Sequence, residues 1–184
     1  GVDALELTDK APWPVIPLDA TFPASDGPEG LRAAVERLTA EAVAAVEGGT
    51  GTLILEAEDA GPERAPIPSL VACGAVHQAL SRHRLRSRVA LVVVADDVFD
   101  VHGFAPLLGY GADAICPRLA LATVAAEADR VDDGDLTSPE AQSRYQAAVE
   151  AGVLKILSKM GICTVDSYRG AQIFEVVGLA PEVV

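Results

Sequence analysis

Apolar positions follow two rhythms along this chain. Residues 30–47 place Leu31, Val35, Leu38 and Ala42 on one face and turn Arg32, Glu36, Arg37 and Glu41 away from it. That spacing predicts an amphipathic helix, ended by Gly48 and Gly49. Residues 89–95, VALVVVA, have no polar face at all, as a central parallel strand buried on both sides requires. Residues 52–55 predict another buried strand, followed by a turn-rich loop over 59–68. Ser69 predicts the cap of a helix reaching about Arg84. A first strand is expected over 15–18, irregular because prolines at 12, 14 and 17 remove ladder donors, and residues 1–14 are expected to be irregular.

The rhythm continues downstream. GFAPLLGYGADAICP predicts a short helix to Leu108, a Gly-Tyr-Gly turn, and a strand over 112–116 closed by Pro117. Residues 119–158 are mostly helical, broken by VDDGDLTSPE, where Ser138, Pro139 and Glu140 supply a cap, a first-turn proline and a first-turn acid. Residues 162–165 predict a last short strand. Ser167 then predicts the cap of a helix whose buried side takes Ile173, Val176 and Val177. Strands and helices that alternate in this way predict consecutive βα units with right-handed crossovers. The expected fold is one α/β domain over residues 1–184. Its mostly parallel sheet of four to five strands is flanked by helices, as a partial barrel or a three-layer sandwich.

Composition narrows the function classes. Half of the residues are apolar and 4% are aromatic, so the core must be built from Ala, Val, Leu and Ile. A net charge of -13 argues against nucleic-acid and anionic-membrane partners, and the reading finds no basic block to offset it. Cys73, Cys116 and Cys163 are odd in number and far apart, which suggests neither a disulfide framework nor a zinc or iron-sulfur site. A reducing cytoplasm is the expected location. The N-terminus shows no basic leader with an apolar run, and no segment approaches the ~20 apolar residues needed to span a bilayer.

Residues 155–179, KILSKMGICTVDSYRGAQIFEVVGL, carry the pattern SKMGI-x-T-x-x-SYRGAQIFE-x-VGL, which resembles the end of the central domain of the glutamate synthase large subunit. LDATFPASDGPEGLRAAVERLTAEA is similar to that family's Thr-Thr-Phe-Pro segment and the helix after it. APIPSL with AVHQAL, and VHGFAPLLGYGADAI, match further blocks in the same order. The resemblance runs from about Leu18 to the C-terminus, with the family's N-terminal portion read as missing or replaced by residues 1–14. It implies other glutamate synthase domains or subunits as partners.

Four departures from the family pattern fall at strand ends or in the loops after them. Glu56, Ala57 and Glu58 stand where the family usually has Ser-Asp-Arg, and Ala95, Asp96 and Asp97 where it has Glu-Ser-Gly. His102 and Gly103 replace paired histidines, while Cys116, Pro117 and Arg118 replace Asn-Pro-Tyr. The C-terminal ends of parallel strands are the usual ligand edge. The expectation is a retained scaffold with a diverged polar rim, in which Asp96, His102 and Arg118 are the candidate strand-end pocket.

Other candidates are weighed against plain structural roles. His77 sits beside core positions and reads as a helix-edge histidine, and Cys163, flanked by Ile162 and Val165, reads as buried. Asp132, Asp133 and Asp135 share only acidity with a calcium loop, since the spacing and the distal glutamate are wrong. GYGAD, residues 109–113, precedes a strand, whereas a phosphate-binding glycine loop follows one, so a dinucleotide reading is refused. Lys159, Ser167 and Arg169 form the candidate anion site, set against Arg169 pairing an acidic neighbour and Tyr168 packing inward. No catalytic, metal or cofactor-binding residue is assigned and no cofactor is expected.

Two function classes remain open. One is a non-catalytic scaffold or interaction module related to glutamate synthase. The other is a small stand-alone enzyme or anion-binding protein using the strand-end pocket. Self-association or docking to a partner is expected in either case, because a partial sheet leaves two edges and an incompletely covered face.

Overall fold

A computed structural model describes residues 14–130, 136–171 and 173. Its central feature is a four-stranded parallel sheet. The strands are β1 (Val15–Asp19), β3 (Thr52–Glu56), β5 (Ala90–Val94) and β6 (Ala114–Cys116), hydrogen-bonded in that spatial order. The register sets Leu53 beside Ile16 and Leu91, and Val93 beside Leu55 and Ile115. Crossovers are made by α1 (Gly27–Glu47), α2 (Ser69–Arg82) and α3 (Val101–Gly109). After β6 come α4 (Arg118–Arg130), α5 (Ser138–Lys159) and the single turn α6 (Val165–Tyr168).

The strand pattern explains how the sheet is covered. Alternate residues point to opposite faces. Leu18, Leu53, Leu55, Leu91 and Val93 join the main core with Leu38, Val46, Val76, Leu80 and Leu107 of the helices. Ile54, Val92 and Val94 form a separate buried cluster with Val15 and Cys116, to which no described helix contributes. The three crossover helices therefore pack on one face of the sheet. Strands without a polar side, read from VALVVVA, follow from burial on both faces.

Several expectations are corrected. The loop over 59–68 contains β4 (Arg64–Pro66), which pairs antiparallel with β2 (Thr21–Pro23). Three residues are too few for alternation to show. Ser69 does not cap α2: Pro68 holds the cap position, and the Ser69 N–H donates to the Asp97 carboxylate at 3.0 Å. Thr137, not Ser138, caps α5, its hydroxyl accepting the Glu140 N–H at 3.4 Å. Residues 162–165 form no strand; a turn leads to Thr164, which caps α6, so Ser167 lies inside that helix rather than at its cap. Cys163 is exposed, since the strand that would have buried it does not form. Val176, Val177, residues 1–13, Asp132, Asp133 and Asp135 lie outside the described residues.

One backbone feature stands out. Arg84 has φ +59°, the left-handed region where glycine is usual after a helix. The Leu85 N–H reaches Leu80 O at 2.8 Å and the Arg84 N–H reaches Ser81 O at 3.0 Å, the paired bonds of a Schellman ending. Leu85 is buried in the main core and locks the turn. An L-residue in this conformation costs about 1–2 kcal/mol, partly offset by glycine's greater freedom when unfolded. Arg84→Gly is therefore expected to raise unfolding stability by about 0.5–1 kcal/mol in urea titrations at neutral pH.

Candidate functional site

The C-terminal ends of the strands gather carboxylates. Asp19 closes β1, Glu56 closes β3 with Glu58 just beyond, and Asp96 follows β5. Most of these acids have structural duties. Asp19 pairs with Arg64 at 2.6 Å and accepts the Thr21 hydroxyl at 2.6 Å, while Arg37 donates to the carbonyls of Asp19 and Thr21 at 2.9 and 3.0 Å. Both arginines clamp the junction of β1 and β2. In the loop after β5, Asp97 caps α2 and Asp100 caps α3 through the Gly103 N–H at 3.0 Å. Three aspartates in five residues thus have three separate duties, since Asp96 pairs with Arg118.

Arg118 opens α4 after β6, and its guanidinium meets the Asp96 carboxylate through both Nε and Nη2. That hydrogen bond raises the Arg118 pKa first, and the charges of Asp96, Glu58 and Glu56 add to it, with burial opposing. Two of the three candidate pocket residues are therefore joined, but as a bidentate pair that occupies both. His102, the second residue of α3, is exposed and makes no hydrogen bond or ion pair among the described residues. Nothing presents it to Asp96 or Arg118 as a base.

The opposite edge holds a denser network that the sequence reading missed. Asp113 leads into β6, and its carboxylate accepts the Leu91 N–H at 2.8 Å, pairs with Arg86 at 2.6 Å and with Arg169 at 2.8 Å. Arg86 also donates to the carbonyls of Val89 and Gly111, each at 2.7 Å, and through Nε to His77 Nδ1 at 3.1 Å. Arg169 makes a second pair with Asp166 at 3.2 Å. Arg86, Ser87, Arg88, Asp113, Asp166 and Arg169, together with the first residue of β3, line an open cavity of about 890 Å³. Ser167 bonds to Thr164, Oγ to Oγ1, at 2.9 Å, and no hydrogen bond or ion pair joins Lys159 to either Ser167 or Arg169. Tyr168 is 1% exposed, packed with Ala105 and Leu157.

The network explains GYGAD. At Gly111, φ is +120°, and an added Cβ would lie 2.2 Å from His77 Nδ1. Glycine is required so that its carbonyl can reach Arg86 while His77 packs against the turn. The sequence signals for the network were Asp113 inside that motif and Arg169, whose pairing with an acidic neighbour was one of its two readings. Burial pushes the Cys73 thiol up to about 12, so it is inert at neutral pH. A further recess of about 790 Å³ lies between β6, α3 and α5, walled by Phe104, Leu108, Ile115, Val149 and Leu157, with Tyr145 at its side.

A family model for the glutamate synthase central domain matches residues 2–180. The chain belongs to that family. The match begins at residue 2, which corrects the expectation that residues 1–14 replace a family segment. This glutamate synthase central domain is 44% identical over 186 residues to glutamate synthase [NADH] of Schizosaccharomyces pombe, covering 99% of the chain and 9% of that protein. It is 44% identical over 158 residues to the glutamate synthase [NADPH] large chain of Bacillus subtilis, covering 85% of the chain and 10% of the relative. The chain thus spans about a tenth of the length of these relatives. In fold it resembles TIM-barrel-like flavoproteins. The L230A mutant of flavocytochrome b2 with benzoylformate superposes at a TM-score of 0.58 and 14% identity, over 99% of this chain and 42% of that one. No helix among the described residues is long and apolar enough to cross a membrane.

Two predictions test the network. Gly111→Ala is expected to destabilise the domain by about 3 kcal/mol, from combined backbone strain and overlap with His77, read from denaturant midpoints. The second concerns pH. Burial lowers the His77 pKa first, with Arg86 and Arg169 adding to the effect, so the unfolded chain binds the proton more readily than the folded one. Its contribution is complete above the unfolded value of about 6.5 and is lost as pH falls through the lower folded value. Wild type should therefore lose more stability than His77→Asn between about pH 7 and pH 5. Parallel curves for the two would rule the linkage out.

Proposed function

We propose that this chain is the central-domain segment of a glutamate synthase and serves there as a non-catalytic scaffold. It contributes to glutamate biosynthesis by holding other domains of the enzyme in place, and as a part of that enzyme it works in the cytoplasm. The observation behind this reading is the commitment of the polar groups at both strand edges. Asp19, Asp97 and Asp100 fasten turns and cap helices, Asp96 and Arg118 pair with one another, and Asp113 ties two arginines to the β5–β6 register. A catalytic base needs a free, correctly placed acceptor, and no hydrogen bond among the described residues orients His102. The family likeness supplies the enzyme; these pairings support a structural part within it.

The reading is tested in a complete glutamate synthase chain carrying this segment. Asp96→Asn, Arg118→Gln and His102→Ala should each leave kcat for glutamate formation within about twofold of wild type. A fall of about a hundredfold at unchanged Tm, from any one of them, would instead establish a strand-end enzyme pocket.

A further inference from the structure

The turn between α2 and β5 reads Arg82-His83-Arg84-Leu85-Arg86-Ser87-Arg88, which places four of the chain's 14 basic residues within seven positions. This is a basic block, contrary to the reading of the sequence, where the alternation with His, Leu and Ser concealed it. Arg86 turns inward to Asp113. Arg82, Arg84 and Arg88 are exposed and have no ion pair among the described residues. Every described arginine outside the turn has a carboxylate partner. Acid is not scarce, with 27 Asp and Glu in the chain. Lys155 and Lys159 are also unpaired, but they lie in the last two turns of α5, where the helix's negative end stabilises them.

Two independent features mark the turn. Three guanidinium groups are left exposed without a carboxylate partner among the described residues. One of the three, Arg84, occupies a left-handed position that glycine would fill at lower cost. The fold needs the left-handed turn but not a side chain in it, and strained residues of this kind cluster at functional surfaces.

We propose that this turn docks onto a carboxylate-rich face of another part of the glutamate synthase to which the domain belongs, a step that rests on the scaffold reading above. About nine-tenths of a relative's length lies outside this chain, so a partner surface is available in the same polypeptide. Guanidinium forks match carboxylates in two-pronged pairs. The net charge of -13 would oppose an untethered polyanion, whereas a tethered domain is held at high effective concentration, where a local contact of three arginines suffices.

The test is zero-length carbodiimide crosslinking of the complete glutamate synthase chain carrying R82K/R84K/R88K, a change that keeps the charge and supplies reactive amines. Mass spectrometry should find crosslinks from these three positions to Asp or Glu outside residues 1–184. Their yield should fall at least tenfold between about 50 mM and about 500 mM salt, while Lys155 and Lys159 give none. Crosslinks confined to residues 1–184, or none, would overturn the docking surface. So would tight binding of duplex DNA by the wild-type enzyme that R82E/R84E/R88E abolishes, because the turn would then be a nucleic-acid site. Salt-sensitive crosslinks in an enzyme that Asp96→Asn inactivates would retain the docking surface and discard the non-catalytic reading.

Discussion

Asp113 is the residue on which the described fold most depends. Its N–H donates to Leu91 O and its carboxylate accepts the Leu91 N–H, each at 2.8 Å, so it sets the register of β6 against β5. The same carboxylate holds Arg86 from the α2–β5 turn and Arg169 from the segment after α6. With its side chain 26% exposed and those of Arg86 and Arg169 at 15% and 20%, water screens these pairs only partly. Removing one partner from such a network costs more than the pair is worth, because the remaining charges lose both solvent and counter-charge. One carboxylate thus fixes a strand, a crossover turn and the C-terminal segment together.

This arrangement gives the two most recognisable motifs of the chain a shared physical cause. GYGAD supplies Asp113, the Gly111 carbonyl and the glycine conformation that admits His77, while SYRG supplies Arg169 and the buried Tyr168. They are more than fifty residues apart in sequence and meet at one carboxylate. A glycine-rich segment before a strand is then a clamp, consistent with refusing it a dinucleotide role. The candidate anion-site residue Arg169 has its charge met by Asp113 and Asp166. Its partner came from a motif that periodicity reads only as a turn.

What was legible in the sequence follows from the length over which each signal accumulates. The helix read over 30–47 is Gly27–Glu47, and the strand read over 89–95 is Ala90–Val94, because many residues repeat the same preference. Short elements give no such accumulation. β4 has three residues, and the turn before α6 resembles a strand only because Ile162 and Val165 are apolar. Caps were displaced by one residue at Ser138, where Thr137 competes for the same role. At Ser69 the cap comes from Asp97, 28 residues away, which no local pattern contains. The long-range ion pairs were invisible for the same reason, since periodicity says which side of an element faces solvent and not which distant charge it meets; the pairing of Arg169 with an acidic neighbour, Asp166, is local and was read.

The distribution of charge is the last consequence of the parallel sheet. All four strands run the same way, so their C-terminal ends form one edge and their N-terminal ends the other. Loops leaving the first edge must start helices, and helix N-termini favour carboxylates, which is why Asp97 and Asp100 gather there. Turns entering the second edge follow helix C-termini, which favour cations; Arg82 lies in the last turn of α2, and Arg84, Arg86 and Arg88 follow it. Helix polarity thus favours the capping aspartates at the first edge and the arginines of the α2–β5 turn at the second. It does not account for a guanidinium in left-handed backbone, nor for three of them lacking carboxylate partners among the described residues. One cation already complements the C-terminus of α2, so the remaining exposed arginines of the turn exceed what helix polarity requires.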